Sequence, residues 1–198
     1  MADLQPPEPL TTHHALDGFD CGETSLNDWL QRRALQNQQS GATRTFVSID
    51  TNGKVQAYYA LASSAIAPAS ATGRFRRNMP DPIPVVVLAR LAIAKPHQSH
   101  GFGRALFQDA GRRVVQAADT IGIRGLLVHA LSDEAKAFYL ALGLDPSPLE
   151  PMTLMVTIAD LKAAVDQADR AMAERIAALS RELAADHRAI NESTEDPT

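Results

Sequence analysis

Apolar residues recur every three or four positions between residues 26 and 34, and this spacing predicts an amphipathic helix. The segment Ser25-Leu-Asn-Asp28 resembles a capping box with Asp in place of the usual Glu or Gln, so we expect the helix to begin there. Gly41 is expected to end it, because glycine is common just past a helix C-terminus. The first ten residues contain three prolines and predict an irregular arm.

Two segments rich in β-branched and aromatic residues follow, at residues 45–50 and 54–63. Asn52-Gly53 lies between them and is a dipeptide typical of hairpin turns, so the two segments are predicted to pair as a hairpin. Residues 64–84 contain four prolines and one glycine and predict a long loop. Loops of this length often have a functional role.

The second half of the chain alternates apolar runs with amphipathic segments. Three apolar runs predict strands, at residues 85–93, 123–130 and 152–159. Helices are predicted from about Gly103 to Ala118 and over residues 133–142, with Gly143 just past the second helix. Strand–helix–strand–helix–strand order after a hairpin predicts a mixed α/β domain with a central βαβ crossover.

The pattern changes near residue 160. From Leu161 to Leu183 apolar residues recur with helical spacing and predict one long amphipathic helix. The last eight residues, NESTEDPT, are polar and predict a disordered end. We therefore expect one domain at residues 1–160 and a helical tail with a disordered end at residues 161–198.

The composition is that of an ordinary folded protein, with 45% hydrophobic and 21% charged residues among 198. The single cysteine, Cys21, excludes an internal disulfide framework and a cysteine-rich zinc site, and it suits a reducing compartment. No apolar run is long enough to span a membrane, and the acidic, proline-rich start is unlike a signal peptide. We expect a cytoplasmic protein with no metal ion and no membrane partner.

The segment Gln98-Ser-His-Gly101-Phe-Gly103-Arg104 lies between a predicted strand and a predicted helix. Glycines let the backbone approach a ligand closely, and the unpaired N–H groups that open a helix favour an anion such as a pyrophosphate. A tight turn without a ligand is the alternative. The segment lacks the Gly-Lys-Ser/Thr of a Walker loop, and Leu106 stands where a dinucleotide fingerprint requires a third glycine.

Gln98-x-x-Gly101-x-Gly103 matches the Q/R-x-x-G-x-G/A acyl-CoA motif of GNAT acetyltransferases. Longer segments resemble the GNAT toxins of bacterial type II toxin–antitoxin modules. They are FDCGETSLNDWL (19–30), YYALASS (58–64), RFRRNMPDPIPVVVLARLAI (74–93) and HALSDEAKAFYLALGLDPSPLEPMTLMVTIADL (129–161). The resemblance covers about residues 8–162. It implies the GNAT fold, with a mixed central sheet flanked by helices, and an acetyl-CoA-dependent N-acetyltransferase.

The same resemblance assigns a cofactor site. The backbone of the strand end at Leu91, Ala92 and Ile93 would pair with the pantetheine amides. The pyrophosphate would be held by Gln98, Ser99, His100, Gly101, Phe102, Gly103 and Arg104. His100 departs from the pattern, because toxins of this kind often carry a basic residue there. We expect that departure to weaken binding modestly and to leave the backbone cradle intact.

Ser132 and Tyr139 would lie near the thioester, with Tyr139 donating its phenol proton to the departing CoA thiolate. Without the family pattern, a tyrosine that fills core space would be favoured. The strand at 85–93 has no carboxylate to act as a general base, and a lone strand histidine such as His129 is more often structural. An α-amine titrates near 7.7–8.0, and below that beside an ester, so positioning alone can suffice for an aminoacyl-tRNA acceptor.

The net charge is −4, and residues from Lys162 onward include five basic and eight acidic residues. Outside this acidic tail, four arginines are predicted to bind tRNA: Arg74, Arg76 and Arg77 in the long loop, and Arg90 on a strand. Arginine suits bidentate phosphate contacts, although scattered solvated arginines are the alternative. Arg90 on a buried strand requires a carboxylate partner or a ligand anion.

These observations predict a toxin that moves acetyl from acetyl-CoA to the α-amine of aminoacyl-tRNA and blocks translation. By resemblance, its partner would be a ribbon-helix-helix antitoxin, and a homodimer is left open. One alternative is an N-acetyltransferase for a small amine, a peptide or a protein N-terminus. An alternative of another class is a non-catalytic regulator that binds acyl-CoA.

Overall fold

A mixed sheet organises the protein, and the computed structural model describes its backbone over residues 4–194 and its side chains over residues 4–183. The sheet order within this part is β1-β2-β3-β4-β5-β7-β6. The strands are β1 (Glu8–Pro9), β2 (Arg44–Ile49), β3 (Val55–Ile66), β4 (Ile83–Ile93), β5 (Gly125–His129), β6 (Asp145–Pro146) and β7 (Thr153–Thr157). Only β4 and β5 pair in parallel, and every other neighbouring pair is antiparallel.

The described helices are α1 (Thr24–Trp29), α2 (Leu35–Ser40), α3 (Gly73–Arg76), α4 (Phe102–Ala118), α5 (Asp133–Ala141) and α6 (Ile158–Thr194). The connection β4–α4–β5 is the predicted βαβ crossover, and the α/β fold class is confirmed. No helix of the described part is long and apolar enough to cross a membrane.

The first helix begins differently from the expectation. Glu23 is the N-cap, in an extended conformation and without a side-chain cap hydrogen bond, and Ser25 already lies inside α1. The capping-box prediction is therefore wrong, because the backbone turns into the helix two residues earlier. A π-helical segment, Leu30–Ala34, separates α1 from α2 and was not predicted. Gly41 ends α2 with a φ of 80°, as expected.

The predicted hairpin is confirmed, although β3 extends to Ile66 and so takes residues from the predicted loop. The rest of that loop contains a 3₁₀ turn, Pro68–Ser70, and the short helix α3. The N-terminal arm is not wholly irregular. Glu8 and Pro9 pair with Val47 and Phe46, because β2 offers them an unpaired edge.

The sheet is covered on both faces. Tyr58 and Tyr59 are neighbours on β3 and point to opposite faces, as the period of two requires. Tyr59 joins the cluster of buried residues that α4 and α5 close, and Tyr58 joins the cluster beneath α1. A third cluster surrounds Phe75 of α3 and includes Ile83 and Leu127. Burial on both faces explains the apolar run of β4.

Residues 1–162 and residues 163–198 form two compact units. The functional boundary expected at residues 160 and 161 stays a prediction. Residues 191–194 continue α6, residues 195–198 lie outside the described residues, and the disorder expected at residues 191–198 stays a prediction. Along α6, four large apolar side chains are exposed at helical spacing: Met172, Ile176, Leu179 and Leu183.

Candidate active site

Strands β4 and β5 diverge. Their pairing runs only from Val86 opposite Leu126 to Leu88 opposite Val128, whereas β4 stays paired with β3 as far as Ile93. The β3–β4 register shifts between Ala60 and Leu61, which leaves Ala89 of β4 without a partner residue on β3, and such bulges commonly re-aim the strand that carries them. Within the described residues, the last part of β4 therefore has no strand neighbour on its β5 side.

The open edge of β4 presents specific backbone groups. The N–H of Ala94 donates to the carbonyl of Gln56 at 2.8 Å, which fixes the residues of β4 that face β3. Because hydrogen-bonded and non-hydrogen-bonded pairs alternate in an antiparallel ladder, Ala92 also faces β3. Leu91 and Ile93 then direct their N–H and C=O groups toward the open edge. This geometry is the one that the predicted pantetheine contact requires.

A cleft of about 450 Å³ lies where the strands diverge. It is bounded by residues 87–91 of β4, the end of β5, one side of α5 and the residues that open α1. The polar side chains that line it come from four separate parts of the chain: Glu23, Ser25, Arg90, His129, Ser132 and Tyr139. The structure thus brings together Arg90, Leu91, Ser132 and Tyr139, four residues predicted from the sequence.

Tyr139 is 8% exposed and packs against the rings of Phe107 and Phe138, with centroids 6.1 Å and 5.1 Å away. Burial raises the pKa of Tyr139 to about 12, because the phenolate loses solvation. The phenol is therefore protonated at neutral pH. Among the described residues its hydroxyl has no hydrogen-bond partner, and it is available to a group in the cleft.

Ser132 has a structural role at the same place. It is the N-cap of α5, and its hydroxyl accepts the N–H of Ala135 at 3.2 Å. This cap fixes where α5 begins and thereby the position of Tyr139, two turns further along. Its predicted contact with the cofactor stays a prediction.

The glycine-containing loop fits an anion. Gly101 is the N-cap of α4 with a φ of 85°, and no side chain caps this helix. The N–H groups of Phe102, Gly103 and Arg104 open the helix and have no partner within it. A Cβ on Gly103 would touch the side chains of Ile93 and Phe138 at 3.4 Å, so a side chain larger than that of alanine would crowd them. Ser99 and His100 are exposed beside it.

Gln98 holds the loop in place. Its Nε2 donates to the carbonyl oxygens of Cys21 at 2.8 Å and Ile93 at 2.9 Å. Both amide hydrogens are thus engaged by backbone, and Gln98 joins the end of β4 to the segment before α1. The carbonyl of Gln98 lies 2.6 Å from Nδ1 of His100, which must donate because a carbonyl oxygen only accepts. A direct contact of Gln98 with pyrophosphate stays a prediction.

The four predicted RNA-binding arginines do not share one location. Phe75, next to Arg74 and Arg76, packs with Ile83 at the start of β4, at the end of the sheet opposite the cleft. Arg74 pairs with Asp160, whereas Arg76 and Arg77 are exposed.

Arg90 alone of the four lines the cleft. Its guanidinium lies over the ring of Trp29, 5.5 Å from the centroid, and donates to the carbonyl of Ala89 at 2.6 Å. Among residues 4–183 no carboxylate forms an ion pair with Arg90, so the first of the two expected partners is absent. The ring of Trp29 and the carbonyl of Ala89 are its partners in the structure, and a ligand anion in the cleft stays a prediction.

Sequence reasoning missed Glu23, the N-cap of α1, which places a carboxylate at the edge of the cleft. No local signal identifies it, because only the packing of α1 against the sheet brings residue 23 near residue 139. The described residues contain no cluster of His, Cys, Asp or Glu that could hold a metal ion.

No protein-family model matches the chain. The tRNA-acetylating toxin of Mycobacterium tuberculosis (strain ATCC 25618 / H37Rv) is 46% identical over 165 residues, which are 83% of this chain and 99% of the relative. The fold is similar to that of AtaT complexed with acetyl-methionyl-tRNAfMet, with 30% identity, a TM-score of 0.75, and coverage of 81% of this chain and 98% of that one.

A mutant AtaT bound to the C-terminus of the antitoxin AtaR and acetyl-CoA is also similar, with 29% identity, a TM-score of 0.69, and coverage of 81% of this chain and 97% of that one. These similarities agree with the motifs of the acyl-CoA loop and of the Tyr139 helix. The chain belongs to the family of tRNA-acetylating toxins, which are acetyltransferases of the GNAT fold.

Proposed function

We propose that this protein transfers acetyl from acetyl-CoA to the α-amine of an aminoacyl-tRNA and thereby inhibits translation as the toxin of a toxin–antitoxin module. The observation that carries the proposal is the 46% identity to a tRNA-acetylating toxin across 83% of the chain. The cleft supports it, since a buried protonated phenol and an open strand edge lie beside one another.

Acetyl-CoA fits two features of the fold. The open edge offers the N–H and C=O of Leu91 and the N–H of Ile93 to the pantetheine amides, with Ala92 between them, while the C=O of Ile93 accepts from Gln98. The uncapped start of α4 offers N–H groups and the positive end of a helix dipole to the pyrophosphate. Both features lead toward the cleft and would place the thioester near Tyr139.

In the reaction, the amine nitrogen attacks the thioester carbonyl carbon and the C–S bond breaks. The attacking amine releases one proton, and Tyr139 donates its phenol proton to the leaving sulfur and regains a proton from water, so the products are CoA thiol and an N-acetylated aminoacyl ester. A charge that develops on sulfur is costly in a buried site, and a donor with a raised pKa stays protonated until it is needed.

The charges around the site support an aminoacyl-tRNA as the acceptor of the acetyl group. Arg90 would bind a phosphate near the aminoacyl end, because it lies in the cleft without a carboxylate partner among the described residues. Arg76 and Arg77 would contact phosphates farther along the acceptor stem. Arg74 is already paired with Asp160 and would contribute less.

A second protein would neutralise the toxin. AtaT has been solved with the C-terminus of its antitoxin AtaR, and we expect a ribbon-helix-helix antitoxin to act on this chain in the same manner. Aminoacyl-tRNA and acetyl-CoA are both cytoplasmic, so we place the reaction in the cytoplasm.

Mass spectrometry of total charged tRNA, incubated with the protein and acetyl-CoA, tests the proposal. An acetyl group on the aminoacyl end of at least one tRNA is expected. Acetyl-CoA consumption only when a small amine or a peptide is added would favour that class of acceptor. Binding of acetyl-CoA without consumption in the presence of any amine would contradict acetyl transfer altogether.

A further inference from the structure

His129 ends β5 and borders two cavities. One is the cleft that also contains Tyr139, and the other is a space of about 280 Å³ lined in part by Glu150 and Thr153. His129 is exposed, and Thr153 stands directly opposite it on β7. The imidazole therefore lies between the candidate reaction site and a set of polar side chains.

A hydrogen-bond chain fixes how this ring is protonated. Nδ1 of His129 lies 2.9 Å from Oγ1 of Thr153, and that hydroxyl donates to Oε2 of Glu150 at 2.9 Å. A hydroxyl has one proton, and an ionised carboxylate can only accept. Thr153 must therefore accept from His129, so Nδ1 carries the proton of the neutral ring. Nε2 is left with its lone pair.

We propose that Nε2 of His129 is the general base that removes the proton lost by the acceptor amine, with Thr153 and Glu150 as positioning residues. The inference rests on the proposed function. As the nitrogen attacks, the N–H bond breaks and its proton passes to Nε2, while the C–S bond breaks and sulfur takes the proton of Tyr139. Exchange with water restores both residues, since His129 is open to solvent.

The other cleft carboxylate is a weaker candidate. Glu23 is exposed at the N-cap of α1, and no described side chain orients it. Histidine is the side chain whose ordinary pKa lies nearest neutral pH, and a neutral imidazole with a fixed tautomer is suited to accept a proton. Proximity to an ester lowers the amine pKa, so one modest base is sufficient.

The first test compares turnover. His129→Gln is expected to lower kcat by about 10²-fold, with acetyl-CoA affinity measured by calorimetry unchanged. Added imidazole should restore part of the activity of His129→Gly. Thr153→Val should lose at least about tenfold in kcat, because the wrong tautomer becomes accessible, and Thr153→Ser should recover most of that loss. Thr157→Val, at the other end of β7, is the matched control.

The second test needs no substrate. Nitrogen NMR of labelled histidine should show the Nδ1-protonated tautomer at His129 in the wild type and a mixture in Thr153→Val. Another tautomer in the wild type, or normal kcat in His129→Gln, would overturn the base role alone. A wild-type protein that acetylates no aminoacyl-tRNA, with the expected tautomer present, would overturn the proposed function and the base role with it.

Discussion

The two halves of β4 differ in what surrounds them. From Ile83 to Leu88 the strand has β3 on one side and reaches β5 on the other, and both faces are covered by buried clusters. From Ala89 to Ile93 it keeps β3 only. The carbonyls of Ala89 and Ile93 accept from the side chains of Arg90 and Gln98, whereas the outward N–H groups of Leu91 and Ile93 have no strand partner, so the second half can bind a cosubstrate and the first half cannot. The first half of β4 therefore contributes to the stability of the fold, and the second half to the binding of the cosubstrate.

The largest effect is expected at Gly125 of β5, which is crowded by Phe75 and β7 beside the paired half of β4 (Ile83–Leu88). A Cβ on Gly125 would lie 2.2 Å from the carbonyl oxygen of Val156 and 2.5 Å from the ring of Phe75. Gly125→Ala should therefore cost more than about 3 kcal/mol in the free energy of unfolding, measured by urea denaturation. Gly122→Ala, which has open space around its Cβ, should change it by less than about 0.5 kcal/mol. Similar values for both variants would refute this part of the comparison.

The next largest effect is expected in the cleft beside the divergent half of β4 (Ala89–Ile93), and it is an effect on turnover. Tyr139→Phe removes only a hydroxyl that has no partner among the described residues, so turnover should fall by about 10²–10⁴-fold while stability changes little. Tyr59→Phe is the matched control, because its hydroxyl donates to the carboxylate of Asp109 and neither residue lines the cleft. It should lose about 1.5–3 kcal/mol of stability and keep its turnover. If Tyr139→Phe lowered stability and left turnover unchanged, Tyr139 would be a packing residue.

A smaller effect is expected at the start of α4. Gly103→Val would crowd Ile93 and Phe138 and shift the N–H groups that face the pyrophosphate. Acetyl-CoA affinity should fall at least about tenfold, or about 1.4 kcal/mol, with the fold retained. Gly73→Val, where a Cβ meets nothing within 4 Å, is the control. Unchanged affinity in calorimetry would place the cosubstrate elsewhere.

The smallest effect concerns the exposed arginines. Neutralising Arg76 and Arg77 together should raise the KM for several aminoacyl-tRNAs alike and reduce the salt slope of binding by about one per lost phosphate contact. Turnover and acetyl-CoA affinity should be unchanged, because these residues lie at the other end of the sheet. Neutralising Lys162 and Arg170 on α6 is the control. Normal KM at physiological salt would leave Arg90 as the remaining candidate for tRNA contact.

Local chemistry explains what the sequence predicts correctly. Gly41, Gly101 and Gly143 adopt positive φ values where turns or helix ends were expected, and the hairpin and the crossover follow from apolar periodicity. Features that depend on distant partners could not be predicted this way. Glu8 and Pro9 form a strand only because β2 has a free edge. The divergence of β4 from β5 has no signature within either strand.

The same limit applies to the candidate site. Tyr139 and the glycine loop carry motifs, so they could be found from the sequence. The role of His129 depends on Thr153, which is 24 residues away in the chain and becomes its neighbour only through the β5–β7 pairing. Arg74 looked equivalent to Arg76 and Arg77, yet its pairing with Asp160 is a contact between residues 86 apart.

Amide hydrogen exchange with and without acetyl-CoA tests the division of β4 most directly. Binding should slow exchange at Leu91 and Ile93 and in the first turn of α4, because those N–H groups gain partners only from the cosubstrate. Exchange at Val86 and Leu88 should stay the same, since both lie in the half that strands already flank. Protection confined to the paired half, or none at the divergent half, would contradict the account.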